Sequence, residues 1–123
     1  MKNQLRQLLK DTPTVTAIAK NIDWGGTPQG RPLPSIILRK VGGAPAVGVG
    51  GVDRQHGALC RADCWAVTYD QADQLARAVK NALSGYKSAD FQCIFIEGER
   101  DVYDDREPAR AYGISVDLRV WDT

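Results

Sequence analysis

The sequence predicts an α+β fold: a mainly antiparallel four-stranded sheet with a central helix and N-terminal helices packed on one face. Three observations predict it. Residues 58–67 and 110–121 alternate apolar and polar side chains with the period of a strand, while residues 70–83 repeat with the period of a helix. The order strand, strand, helix, strand, strand, with links of hairpin length, favours antiparallel neighbours over crossovers.

At 123 residues the chain fits a single domain, residues 1–123, with a glycine-rich arm over 42–57. Its hydrophobic share of 43% and charged share of 25% are those of a globular protein. No apolar run approaches the ~20 residues of a membrane helix, so no membrane contact is expected. The start, MKNQLRQLLK, lacks the apolar core and cleavage site of a signal peptide, which places the chain in a cytoplasm when it is made. A net charge of +1 argues against binding nucleic acid through many phosphates.

Taken in order, Leu5, Leu8 and Leu9 form a short helical stripe, and Val15, Ile18, Ala19 and Ile22 form a second. Thr12 stands where a cap would, and Pro13 suits a first helical position, so two short helices are expected. Trp24 to Pro34, with its glycines and prolines, reads as a loop. Ser35 to Val41 reads as a strand that leaves the sheet at Arg39 and Lys40. The arm from Gly42 to Gly57 holds no phosphate loop: Gly43 and Gly48 have Walker spacing, but Val49 stands where the lysine must be. Gly48 and Gly50 begin a dinucleotide pattern that Asp53 breaks.

From Ala58, small residues (Cys60, Ala62, Cys64, Ala66) occupy one face and Leu59, Arg61, Asp63, Trp65 and Val67 the other. The helix that follows carries Ala72, Leu75, Ala76, Val79, Ala82 and Leu83 on one stripe, so an alanine-rich stripe can approach a small-residue strand face closely. Thr68 and Gln71 have capping-box spacing, and Gly85 suits the left-handed end. Phe91 to Glu97 alternates as a third strand. Gly98 and Pro108 are expected to keep the charged connector GERDVYDDREPAR out of the sheet. In the last strand Tyr112, Ile114, Val116, Leu118 and Val120 form the apolar row, opposite Gly113, Ser115, Asp117, Arg119 and Trp121.

Few residues suggest chemistry. Cys60 and Cys64, four apart on a strand, stand about 13 Å apart at ~3.3 Å per residue, whereas zinc–sulfur bonds are ~2.3 Å. They and Cys93 read as free thiols. His56, the single histidine, lies on the arm without an orienting partner. The carboxylates of 97–107 match no calcium loop and are interleaved with Arg100, Arg106 and Arg110. No catalytic, cofactor or metal site is expected, and no enzyme.

The helix-free face is more telling. Arg61, Asp63 and Trp65 on one strand and Asp117, Arg119 and Trp121 on another bring together the residue types enriched at protein interfaces. These six are expected to form a subunit or partner contact. On the arm, Val47, Val49 and Val52 offer apolar anchors, and Asp53 and Arg54 can pair across a subunit boundary.

Several stretches carry a family resemblance: Leu33-Pro34-Ser35-Ile36-Ile37, Asp63-Cys64-Trp65-Ala66 with Thr68-Tyr69, Leu83-Ser84-Gly85, Glu99-Arg100-Asp101 with Tyr103, and the run from Ser115 to Trp121. In order and spacing they resemble the small tail completion or tail terminator proteins of long-tailed bacteriophages and gene-transfer particles. The resemblance implies a structural virion protein, assembled in the host cytoplasm, that closes the head-proximal end of the tail tube, typically as a homo-hexameric ring. Its implied partners are copies of itself, the tail tube protein and the head connector or stopper protein, with DNA passing through the ring without sequence-specific binding. The alternatives are another neck component of such a particle and, in a different class, a small enzyme with an unrecognised site.

Overall fold

The computed structural model describes residues 2–25, 32–42, 47–48, 51–52, 58–88, 91–104 and 111–122. Helices α1 (Lys2–Lys10) and α2 (Pro13–Thr16) lead into β1 (Asn21–Trp24) and β2 (Ser35–Gly42). Two short strands, β3 (Val47–Gly48) and β4 (Gly51–Val52), pair with each other within the arm. Then follow β5 (Ala58–Ala66), helix α3 (Tyr69–Leu83), β6 (Phe91–Asp104) and β7 (Ala111–Asp122).

The main sheet has the order β1-β2-β5-β7-β6. The four long strands are antiparallel neighbours, as their short links favour, but β1 adds a fifth, parallel to β2. The sheet is therefore mixed and five-stranded, where the sequence led to four. The missed strand has a local cause: Ile22 continues the spacing of Val15, Ile18 and Ala19, yet the helix stops at Thr16 and Ile22 pairs with Ile36. Thr12 also differs from expectation. Its hydroxyl donates back to the Leu8 carbonyl at 2.8 Å and so closes α1, leaving Pro13 to open α2 without a side-chain cap.

The unit around β5 and α3 follows its sequence closely. Cys60, Ala62, Cys64 and Ala66 are fully buried against Ala72, Leu75, Ala76, Val79 and Leu83. The Thr68 hydroxyl accepts from the Gln71 amide at 3.2 Å, and Gly85 takes φ +71°. Ile36, Leu38, Ile94, Ile114, Val116, Leu118 and Val120 extend the same core, which Leu5, Leu9 and Val15 close.

Strand β6 corrects a second expectation. It does not end at Glu97 but runs to Asp104, because a bulge between Ile96 and Gly98 absorbs one residue and the ladder to β7 resumes as far as Asp104 opposite Ala111. Gly98 interrupts the alternation without ending the strand. At its start, the Ile94 amide donates to the Tyr86 carbonyl and its carbonyl accepts from the Gly85 amide, so the turn after α3 covers that part of the β6 edge.

Candidate interaction surface

The three helices cover one face of the main sheet and leave the other to be closed by its own side chains. Strand alternation assigns Ser35, Ile37 and Arg39 of β2, Leu59, Arg61, Asp63 and Trp65 of β5, Gly113 to Trp121 of β7 at every second position, and Cys93 and Phe95 of β6 to this outer face.

At one end the face is a small second core. Ile37, Trp65 and Ala111 are buried there, with Leu33 and Val102 packed against them. Trp65 crosses to β7 above Gly113, where there is no side chain to block it: a Cβ at Gly113 would lie 2.9 Å from Trp65 Cε3. Trp65 is 6% exposed and belongs to the fold of the subunit, so it supports the outer face from beneath and offers little surface of its own. The side-chain oxygens of Ser35 and Ser115 and the Trp65 indole nitrogen are buried there without a hydrogen-bond partner.

Across the middle runs a band of ion pairs. Arg39 Nε donates to Asp63 at 2.9 Å. Arg61 Nε and Arg100 Nη2 donate to the two oxygens of Asp117 at 3.0 and 2.9 Å, so this carboxylate is held by arginines from the strands on either side of it. Arg119 Nε donates to Glu97 at 2.6 Å. Partial burial raises the Asp117 pKa, but its hydrogen bonds to Arg100 and Arg61 and their charges together hold the carboxyl below the usual range. The hydrogen bond to Glu97 and its charge push the Arg119 guanidinium further up. Arg61 and Asp117 are direct cross-strand partners.

At the other end the face is apolar and open. Phe95 is 51% exposed, and Leu59, Cys93 and Trp121 lie half-buried around Arg119. Sequence reading placed Arg61, Asp63, Trp65, Asp117, Arg119 and Trp121 here, and all six share the face. It passed over Phe95, Leu59, Arg39, Glu97 and Arg100. Their alternation was legible for Phe95 and Leu59, whereas Glu97 and Arg100 join the face only through the bulge. Of the arm residues, the backbones of Val47 and Val52 pair with each other, while Val49, Asp53, Arg54 and His56 lie outside the described residues.

Elsewhere the described residues offer little for catalysis. Cys60, Cys64 and Cys93 form no disulfide, and burial, helped by the adjacent Asp63 charge, pushes the Cys64 thiol far up, away from nucleophilic thiolate. Among the described residues, no three His, Cys, Asp or Glu side chains gather as a metal site requires, and no helix is long and apolar enough to cross a membrane.

The model of a family described as tail completion protein gp17 matches residues 3–122. No curated protein matches the chain. Among solved structures, a chain from the virion of a native gene transfer agent particle shares the fold, with a TM-score of 0.55 at 18% identity, over 96% of this chain and 90% of that one.

Proposed function

The chain belongs to the tail completion protein family and is a structural protein of a phage-type tail; from that premise we propose that it closes the head-proximal end of the tail tube as a ring and joins tail to head. The observation that carries the reading is the outer sheet face, where Phe95 stands exposed, with Trp121 and Leu59 half-buried around it, beside a band of arginine–carboxylate pairs. Exposed aromatic and arginine side chains at the rim of an ordered polar band have the composition of a protein contact, and no helix among the described residues covers them. In this reading Arg61, Asp63, Asp117, Arg119 and Trp121 face a neighbouring subunit, the tail tube or the head connector, and Trp65 holds the strands beneath them.

The arm residues Val47, Val49, Val52, Asp53 and Arg54 complete the contact in the assembled particle. Location in the tail or neck of a virion follows from the same reading, as does a ring wide enough for DNA to pass without base-specific contacts. The resemblance of the fold to a chain of a gene transfer agent virion supports this placement.

The test is assembly. Native mass spectrometry of the purified chain and negative-stain images of it mixed with isolated tail tubes are expected to show closed rings, six-fold, alone or on tube ends. A chain that stays monomeric at every concentration and leaves tube ends uncapped refutes the proposal.

A further inference from the structure

We propose that the outer edge of β6, beyond the turn that covers Ile94, takes an added strand: the β3–β4 hairpin of a second copy of this chain. The inference rests on the ring reading and names the two elements that meet in it. Its basis is an unfinished ladder. The Ile94 amide and carbonyl point away from β7, to Tyr86 and Gly85. In an antiparallel strand that direction recurs at every second residue and goes with one face of the sheet. Counted through the bulge, the register turns the amides and carbonyls of Ile96, Glu99 and Asp101 to the same outer side, whereas those of Arg100 and Val102 face Ser115 and Gly113 of β7. Among the described residues, no backbone group beyond the turn at Tyr86 and Gly85 pairs with this edge.

Free edges are commonly guarded by charged side chains. Here Glu97, Glu99, Arg100 and Asp101 are all drawn back into the subunit. On the outer face, Arg119 of β7 holds Glu97 at 2.6 Å and Asp117 of β7 holds Arg100 at 2.9 Å. On the helix face, Lys80 of α3 holds Glu99 at 2.9 Å, and the Tyr69 hydroxyl at the start of α3 donates to Asp101 at 3.0 Å. These partners all stand on the subunit's own side of β6, so the charged side chains lean away from the open ladder. The backbone from Ile96 to Asp101 is left accessible to another strand.

The described residues themselves supply the occupant. The β3–β4 hairpin is a two-stranded sheet separate from the main one, so its strands have ladder positions to offer. The opposite edge of the main sheet does not compete, because Arg6 Nε already occupies the Ile22 carbonyl of β1 at 2.6 Å. Val47 and Val52 are uncharged and β-branched, and Phe95, 51% exposed at the start of the open stretch, is the aromatic neighbour that such residues favour on an adjacent strand. Position makes the contact one between copies. The hairpin leaves the sheet at Gly42 and returns at Ala58, which stands level with Val120 and Ile94, where the edge is already covered. Asp101 stands level with Ile114 and Cys64, six residues further along β5, or about 20 Å at ~3.3 Å per residue. A hairpin at one place on the subunit and an open edge at another make a heterologous contact, which repeats by a single rotation and closes when that rotation divides a full turn.

The experiment uses the full chain. Hydrogen exchange, read residue by residue, is expected to be at least about tenfold slower at the Glu99 and Asp101 amides in rings than in the monomer, while the Arg100 and Val102 amides are protected in both. Asp101→Pro removes an edge amide and keeps the ladder to β7, and Asp101→Ala, which loses the same Tyr69 bond, is its control. Ring formation is expected to be at least about tenfold weaker in the proline variant than in the alanine one. For the occupant, Val52→Cys and Arg100→Cys are made separately in a Cys93→Ser background, mixed, and treated with a short bismaleimide. A covalent pair containing one chain of each is expected. Circular dichroism melts check folding, and where the proline variant does not fold, exchange and cross-linking decide. Glu99 and Asp101 amides that exchange as fast in rings as in the monomer, a folded proline variant that assembles like the alanine one, or rings that yield no mixed pair overturn the added strand. Rings and tube capping that persist in that case leave the ring reading standing, whereas a wild-type chain that neither associates nor caps removes that reading and this contact with it.

Discussion

Gly113→Ala tests how the outer face is built. A Cβ at this position would lie 2.7 Å from Val102 Cγ2, 2.9 Å from Trp65 Cε3 and 3.0 Å from Trp65 Cζ3. Carbon atoms rest at roughly 3.5–4.0 Å, so the indole and the valine must each retreat by about 0.5–0.8 Å at least. Both belong to the second core, where Ile37 and Ala111 leave little room to move. Overpacking of this kind costs about 1–3 kcal/mol. The backbone at Gly113 has no positive φ, so the alanine also narrows the unfolded ensemble and returns about 0.4–1 kcal/mol. The expected net loss is about 1–2 kcal/mol, or about 4–8 °C in Tm for a chain of this size. Urea and thermal melts measure it. Gly98→Ala is the control, since a Cβ there meets nothing within 4 Å, and it is expected to change stability by less than about 0.5 kcal/mol. In a Val102→Ala background the Gly113→Ala penalty should shrink, because the shortest contact is gone. A Gly113→Ala chain as stable as the wild type, or a penalty unaltered by Val102→Ala, would show that Trp65 does not lie where this reasoning puts it.

The two outer-face tryptophans should separate cleanly. Trp65→Ala is expected to cost about 3–5 kcal/mol of stability, whereas Trp121→Ala should weaken assembly by about 2 kcal/mol with a much smaller change in Tm. Arg119→Glu, which sets a carboxylate against Glu97, should likewise impair tube capping more than folding; equal losses in both readouts for Trp121 and Arg119 would assign them to the fold. Because the Asp117 carboxyl is held below its unfolded value of about 3.9, its arginine bonds contribute stability that is fully present above that value and lost as pH falls through the folded pKa. The Tm difference between wild type and Asp117→Asn should therefore be constant from pH 7 down to about 5 and shrink as pH falls below about 4, and a gap at pH 3 as wide as at pH 7 contradicts this. Finally, a thiol reagent should label Cys93 in the native chain and all three cysteines after unfolding, since Cys60 and Cys64 are fully buried. Labelling of Cys64 at the rate of Cys93 would mean that β5 and α3 open readily.

What the sequence determined by itself was whatever a short window can hold. The small-residue face from Cys60 to Ala66, the alanine stripe of α3, its Thr68 cap and the apolar row from Tyr112 to Val120 are local periodicities, and each survives in the folded chain because the element buries the face its period defines. Period two also fixed which residues share the outer face, and with it the candidate surface. Tertiary structure decided what depends on partners distant in sequence. Ile22 is a strand residue because Ile36 is beside it, and β6 passes through Gly98 because β7 continues to supply a ladder. Trp65 and Trp121 occupy equivalent positions in their local patterns, yet one is core and the other half-open, because Gly113, Val102 and Leu33 happen to meet over the first. Alternation says which way a side chain points, but only the strand order says which residues stand at the ends of the sheet, and pairing energy between distant segments is what sets that order.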